Sequence, residues 1–227
     1  NEIPQDLVNS MTIASVSFLL AIWLIVFLST KNLKNSLIIL GGMLLWYAVV
    51  YFPGIQGFWA QNPFFAPFIA FGFVTLVFWI KFLYSSAWIR RIADSIPVYW
   101  LVLVQVFRVM GIGFLSFHAL GLIPGEFAIP TGWGDVFVGL AAIPVAFFLW
   151  QKARFAKNLA IWWNYIGIGD LALALIMGNL TFPRPVQMLT TQPDNLLIAM
   201  YPLVMVPLFA VPLSLLLHFL TLRALRK

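Results

Sequence analysis

Three charged residues stand inside otherwise apolar stretches of this sequence: Arg108, Asp135 and Asp170. A charge near the centre of a bilayer costs at least ~2.5 kcal/mol on insertion scales, so it normally faces the interior of a helix bundle and has a partner. At a helical rise of ~1.5 Å per residue, Arg108 lies about 15 Å, Asp170 about 18 Å and Asp135 about 24 Å from the predicted inner ends of their helices. We therefore expect the three side chains to meet in the middle to outer half of a bundle.

Two uncharged polar residues are predicted to support this cluster. Gln105 precedes Arg108 by three residues and shares its helix face, and Asn164 lies about one and a half turns below Asp170. The pattern predicts a site for a proton, an ion or a small polar ligand, with Arg108 as anchor, Asp170 as its counter-ion and Asp135 at an entrance from the outer side. The alternative is an Arg108–Asp170 pair that only fixes helix packing.

The two aspartates each close a short G-x-G-D repeat, Gly132–Asp135 and Gly167–Asp170. The repeat resembles the motif of the GxGD intramembrane aspartyl proteases, the class of presenilin and prepilin peptidase. The resemblance implies a catalytic dyad in which Asp135 and Asp170 share one proton and activate water. The sequence departs from that class because no tyrosine precedes Asp135 and the last predicted helix has no Pro-Ala-Leu motif. Glycine in membrane helices also serves close helix packing.

The composition identifies lipid as the solvent. Of 227 residues, 63% are hydrophobic and only 9% are charged, with a mean hydropathy of +0.98. Soluble domains carry about 25% charged residues, and a chain this small cannot hide so much apolar surface from water. A soluble enzyme, a nucleic-acid-binding domain and a disordered tail are excluded.

Few residues could hold a cofactor, and none is expected. The chain has no cysteine and only two histidines, His118 and His218. The last predicted helix has no lysine for a retinal Schiff base, and the two histidines are expected roughly 20 Å apart or more, too far for one haem. His218 is predicted to be an interfacial residue near the inner end of that helix.

Seven apolar segments are long enough for a bilayer that needs about 20 residues per helix. The chain is therefore predicted to be a single all-α domain, residues 1–227, with seven transmembrane helices. The predicted spans are Val8–Ser29, Ser36–Pro53, Phe65–Tyr84, Val98–Ile123, Gly134–Gln151, Asn158–Gly178 and Leu196–Leu222.

The basic residues predict the orientation. Eleven of the 13 lysines and arginines fall on one side of the predicted spans, which places the N-terminus outside and the C-terminus inside. On the inner side, Ala87–Asp94 is predicted to be a short helix at the membrane surface. The last span carries Pro202, Pro207 and Pro212. Each proline removes a backbone donor and frees a carbonyl, so a kinked helix is expected.

A series of short motifs runs from about residue 107 to the end of the sequence. They are Phe107-Arg108-Val109, an acidic residue before Val-x-x-Gly (Asp135 to Gly139), Trp163-Asn164, a Pro-x-Pro in the long outer loop, and Val-Pro-Leu running to a histidine (Val211 to His218). This order of features resembles an uncharacterised family of bacterial seven-helix inner-membrane proteins. The resemblance implies the seven-helix topology and a multi-pass location in the bacterial inner (plasma) membrane, but no activity.

The leading functional prediction is a non-enzymatic membrane protein, a transporter, a sensor or an accessory subunit, whose polar cluster binds a proton, ion or small polar ligand from the outer side. The alternatives are the aspartyl protease and a purely structural subunit of a larger membrane complex. The expected partners are the lipid bilayer, a small ion or polar ligand, and other membrane-protein subunits.

Overall fold

A computed structural model describes residues 3–61, 65–183 and 188–226 of the chain. These residues form helices joined by turns, with no strand among them. The α-helices are α1 (Gln5–Thr30), α2 (Leu33–Ile55), α3 (Phe58–Gln61), α4 (Phe65–Ser85), α5 (Ala87–Ser95), α6 (Val98–Leu103), α7 (Ile112–Ala119), α8 (Gly125–Trp150), α9 (Ala156–Thr181) and α10 (Val211–Leu225). A 3-10 segment, Val104–Gly111, joins α6 to α7, and a second, Leu196–Ala199, precedes a π-helical segment, Val206–Ala210.

Six helical stretches are long and apolar enough to cross a membrane. The fourth predicted span corresponds to α6, the 3-10 segment and α7 together, and the last to the π segment with α10. The predicted span Phe65–Tyr84 falls on α4, in which the stretch Phe73–Phe82 is apolar. The six stretches, which indicate a multi-pass membrane protein, are Gln5–Thr30, Leu33–Ile55, Val98–Ala119, Gly125–Trp150, Ala156–Thr181 and Val206–Leu225.

The bundle has an apolar outer face and one central helix. On α8, Trp133, Phe137, Leu140 and Phe147 are each half or more exposed and follow one helical stripe. A contiguous apolar surface of this kind suits lipid rather than water. In contrast, α10 is the most buried of the six stretches, with 56% of its apolar window inside the bundle. Polar side chains on α10 therefore face other helices.

Helix α8 begins earlier than the sequence predicts. The predicted start was Gly134, whereas the helix runs from Gly125, directly after Pro124 in an extended conformation. The additional part of the helix contains glycines and Pro130, which membrane helices tolerate where neighbours compensate the backbone. Asp135 is consequently in the middle of a helix and not at its start.

The predicted fourth span, Val98–Ile123, is also interrupted. It ends at Ala119, and its middle is the 3-10 segment Val104–Gly111. Side chains three residues apart eclipse in a 3-10 helix. The segment therefore aligns Gln105 and Arg108 on one side, toward α10.

The last predicted span, Leu196–Leu222, is broken, and one freed carbonyl has a partner from another helix. A short 3-10 turn, a non-helical turn and the π segment precede α10. Pro212 has no N–H for the carbonyl four residues earlier, that of Leu208. The indole Nε1–H of Trp46 on α2 donates to this carbonyl oxygen at 3.1 Å. The expected kink is thus a break whose open carbonyl is satisfied across the bundle.

Replacing Trp46 by phenylalanine should destabilise the fold. The change keeps an aromatic ring but removes the indole donor to the Leu208 carbonyl, and the loss of one such hydrogen bond costs about 0.5–1.5 kcal/mol. The matched control is Trp162→Phe, because Trp162 is 68% exposed, and we expect a change within about 0.5 kcal/mol. Denaturant unfolding in detergent micelles measures both. Equal losses in the two variants would contradict this role of Trp46.

The short helix predicted at Ala87–Asp94 is present as α5, Ala87–Ser95. Ser86 caps it by accepting a hydrogen bond from the Ile89 backbone N–H at 3.3 Å. Near its end, Asp94 forms an ion pair with Arg223 of α10 at 2.7 Å, and both side chains are partly exposed. This pair ties α5 to the end of α10.

Candidate functional site

The three charges predicted to meet are in direct contact, with Arg108 between the carboxylates. Nε of Arg108 donates to Oδ1 of Asp135 at 2.7 Å, and Nη2 donates to Oδ2 of Asp170. The Arg108 side chain is 1% exposed, against 15% for Asp135 and 10% for Asp170. Each residue lies near the middle of its helical stretch. The contact therefore joins the fourth, fifth and sixth predicted spans in the centre of the bundle.

A histidine that the sequence analysis placed elsewhere completes the surroundings of Arg108. Nη1 of Arg108 donates to the carbonyl oxygen of Gly167 at 3.3 Å and lies 3.3 Å from Nε2 of His218. His218 is fully buried and its ring packs on Trp163 with centroids 5.1 Å apart. The prediction of an interfacial His218 is wrong.

The protonation of His218 follows from its partners. Nδ2 of Asn164 donates to the Ala160 carbonyl at 2.7 Å, so Oδ1 of Asn164 is left to accept. Nδ1 of His218 lies 2.8 Å from that oxygen and therefore carries the proton. Nε2 is then the acceptor for the Arg108 N–H, and His218 is neutral in this network. Asn164 thus contacts the cluster through His218.

Gln105 supports the cluster without touching it in the described contacts. Its Nε2 donates to the Ser214 carbonyl at 3.1 Å, and Oγ of Ser214 donates back to Oε1 of Gln105 at 2.9 Å. Ser214 and His218 are four residues apart on α10, as Gln105 and Arg108 are three apart on the 3-10 segment. Two polar bridges, one turn apart, therefore fix α10 against this segment.

The spacing of these pairs is the signal that sequence reasoning missed. A serine and a histidine four residues apart form one polar stripe on an otherwise apolar helix. Matching this stripe to Gln105 and Arg108 would have identified Ser214 and His218 as site residues. The depth count instead measured His218 from the inner end alone.

The glycines of the G-x-G-D repeat provide space for the polar groups. A Cβ on Gly134 would lie 1.7 Å from Oδ1 of Asp170, and one on Gly167 would lie 2.5 Å from the His218 ring. A Cβ on Gly132 would lie 2.9 Å from the Leu115 side chain. Of the four glycines in the repeat, Gly169 is the one at which an added Cβ would meet no atom within 4 Å. Close approach of helices thus explains three of the four glycines.

A cavity of about 70 Å³ reaches the cluster from one side. Arg108 and Asp135 line it, whereas Asp170 and His218 do not. Its other walls come from α1, between Met11 and Phe18, and from the π segment. Asp135 is therefore on a cavity wall in the middle of α8 rather than at a helix end.

The contacts are not those of a protease dyad. Catalytic aspartates share a proton directly between carboxyl groups, and here separate nitrogens of one guanidinium bind the two carboxylates. No hydrogen bond joins Asp135 to Asp170 among the described contacts. A metal centre is not indicated either, since the described residues contain no group of three histidine or acidic side chains suited to an ion.

Comparison with known proteins gives a family but no function. No curated protein and no solved structure matches the chain significantly. A family model, described as a domain of unknown function, DUF8737, matches residues 64–226. The match includes Arg108, both aspartates, Asn164 and His218, whereas α1 and α2 precede it. Because the match covers more than two thirds of the sequence, the chain belongs to the DUF8737 family.

Proposed function

We propose that this chain is a seven-span protein of the bacterial inner membrane, with its N-terminus outside, and that its Arg108 cluster reversibly binds one proton or small cation from the outer side. The activity would be that of a small transporter, a sensor or an accessory subunit. The observation that carries the proposal is the charge count of the cluster. One guanidinium faces two carboxylates. Among the described residues, His218 is the one other titratable side chain that contacts Arg108, and it is neutral in its hydrogen-bond network.

An excess negative charge inside a membrane bundle is unfavourable unless it is compensated. One proton on a carboxylate, or one bound cation, makes the cluster neutral. Because a histidine or carboxylate triad for a metal is not found among the described residues, a proton or a monovalent cation fits better than a tightly held divalent metal.

An anionic ligand is less compatible with the site. Arginine has five N–H donors, and four of those of Arg108 already point at Asp135, Asp170, Gly167 and His218. An anion would have to displace these partners in a buried site. The donors of Arg108 are thus used to hold the carboxylates, whose oxygens remain to receive positive charge.

The cavity supports access from the outer side. Its α1 wall, Met11 to Phe18, belongs to the N-terminal half of that helix, which is the outer half in the proposed orientation. Hydroxyl groups continue in this direction, since Ser15 lies 3.1 Å from the Tyr47 hydroxyl and Thr12 pairs with the Tyr201 hydroxyl. A purely structural ion pair would not need a cavity at one carboxylate.

A proton-binding titration of the purified chain in detergent tests the proposal. In a buffer without small inorganic cations, the wild type should hold about one proton more at neutral pH than Asp135→Asn does, and should release it in alkaline buffer. Asp94→Asn is the matched control, because its carboxylate pairs with Arg223 in a partly exposed position and should not retain a proton at neutral pH.

Sodium and potassium salts then separate the two ligand types. Release of the held proton on adding salt means that the cluster takes the inorganic cation, and retention means that it is selective for the proton. The proposal is overturned if the wild type and Asp135→Asn hold equal numbers of protons at neutral pH and neither binds the added cations.

A further inference from the structure

The cavity beside the Arg108 cluster is lined by one carboxylate, that of Asp135, and by several aromatic side chains. From it we infer that the site takes a small organic ammonium ion, which exchanges with the proton at Asp135. This inference rests on the proposed function and names the class of its substrate.

Asp135 is the carboxylate available to a ligand. It lines the cavity, whereas Asp170 does not. Its Oδ1 binds Nε of Arg108, and its Oδ2 receives no hydrogen bond from the described residues. An ammonium N–H, or a quaternary centre at slightly longer distance, can therefore approach Oδ2 without breaking the Arg108 pair.

The other walls suit an organic cation. Phe18 stacks on Phe107 with ring centroids 3.5 Å apart, and Phe114 and Phe209 also border the cavity. Aromatic faces attract ammonium groups. The methionines Met11, Met110 and Met205 also line the cavity and add adaptable apolar contact.

The same walls are poor for a bare metal ion. Ser15 and Ser214 provide the only hydroxyl side chains of the cavity lining. Inorganic cations of the Ca²⁺ type take about six to eight oxygen ligands, far more than one carboxylate oxygen and two serines offer. The apolar lining therefore selects an ion that has its own alkyl surface.

The volume limits the size of the ion. The cavity measures about 70 Å³, and one water molecule needs about 15 Å³ in this measure. Several heavy atoms fit, so a compact amine such as tert-butylammonium is the appropriate probe. A long-chain or polycyclic cation would require the walls to move.

The charges around Asp135 permit one positive ligand at a time. Arg108 faces it from the 3-10 segment, Asp170 lies beyond Arg108 on α9, and His218 contacts Arg108 from α10. The cavity walls from α1, α7 and the π segment contribute no titratable side chain. Binding of one ammonium ion therefore releases one proton from the cluster, and its net charge is unchanged.

The test uses calorimetry on the full chain in detergent, with tert-butylammonium as ligand and the neutral isostere tert-butanol as comparison. We expect saturable binding of the cation, at least about tenfold weaker binding of the alcohol, and release of about one proton per bound cation, read from a pH indicator. Asp135→Asn should abolish both binding and release, and Phe107→Leu should weaken binding severalfold.

The matched controls are Asp6→Asn and Phe219→Leu, since both residues are exposed and neither lines the cavity, and both should bind as the wild type does. If the alcohol binds as well as the cation, or the cation binds without proton release, the inference is wrong. If the wild type holds its extra proton but binds no ammonium ion, the inference fails and the proposed function stands. If it neither holds the proton nor binds any cation, both fail.

Discussion

Arg108→Gln is expected to destabilise the protein by about 3–5 kcal/mol, because it removes one partner of a buried charge network and leaves the others uncompensated. Both carboxylates would lose the one charged partner that the described contacts give them, and Nε2 of His218 and the Gly167 carbonyl would lose a donor. For a protein of marginal stability this loss is close to unfolding. Denaturant unfolding in micelles, followed by circular dichroism, measures it.

Arg223→Gln provides the matched control for the loss of one arginine. Its ion pair with Asp94 is partly exposed, and such pairs contribute about 0–1 kcal/mol. A triple variant, Arg108→Gln with Asp135→Asn and Asp170→Asn, should recover much of the stability because no charge is left unpaired. The account would be contradicted if Arg108→Gln and Arg223→Gln cost the same, or if the triple variant were less stable than the single one.

Gly134→Ala is expected to be the second most damaging change, at about 3 kcal/mol, from overpacking together with a disturbed ion pair. The new Cβ would stand 1.7 Å from Oδ1 of Asp170. Alanine has no alternative side-chain rotamer that could relieve this overlap. Either α8 and α9 separate, or Asp170 leaves Arg108. Unfolding experiments measure the loss, and proton binding by the variant reports on the cluster.

Gly169→Ala is an unusually close control for that variant. Gly169 holds the same place in its G-x-G-D motif as Gly134, but a Cβ there meets nothing within 4 Å. Because alanine is about 0.8–1.0 kcal/mol better than glycine inside a helix, this variant should be neutral or slightly more stable. Similar destabilisation by the two alanines would disprove the packing role given to Gly134.

This packing role offers an explanation of the repeated motif that needs no protease. In the aspartyl protease interpretation, the two aspartates would form the catalytic dyad and the glycines would belong to its sequence motif. In the structure, the missing side chain of Gly134 leaves space for Asp170, and that of Gly167 leaves space for His218. Separate nitrogens of Arg108 bind the two carboxylates, so the carboxyl groups do not share a proton directly with each other as a catalytic dyad does.

The contact of the three charges could be predicted from the sequence because few alternatives existed. An apolar chain with one arginine and two aspartates at bilayer depth must pair them, so counting residues along the helices was sufficient. Composition and hydropathy likewise indicated the helical membrane architecture that six stretches bear out. The number of spans, the orientation and the binding role stay predictions.

The position of His218 could not be predicted in the same way. The depth count assumed one continuous helix from Leu196, whereas three prolines divide this stretch and the resulting α10 is the central helix of the bundle. Burial of α10 depends on neighbours far apart in sequence. A count of residues along one helix carries no information on which other helices surround it.

The predicted helix boundaries were wrong for a related reason. Glycine, proline and threonine between Gly125 and Gly134 favour a loop in water, but here they continue α8 because the carbonyls that a proline frees can be satisfied by neighbours in a bundle. The 3-10 character of Val104–Gly111 is also a tertiary effect, since it aligns Gln105 and Arg108 with Ser214 and His218. Periodicity alone favours an ordinary α-helix there.

Infrared spectroscopy of the chain in lipid, recorded from acidic to alkaline buffer, tests the excess negative charge of the cluster most directly. The account predicts a protonated carboxyl band at neutral pH that disappears in alkaline buffer or on adding the bound cation, and that Asp135→Asn or Asp170→Asn shifts or removes. Asp94→Asn should leave this band unchanged. A spectrum without any such band, in which neither pH nor added cations alter the carboxylates of the cluster, would contradict the account and leave a permanently sealed ion pair.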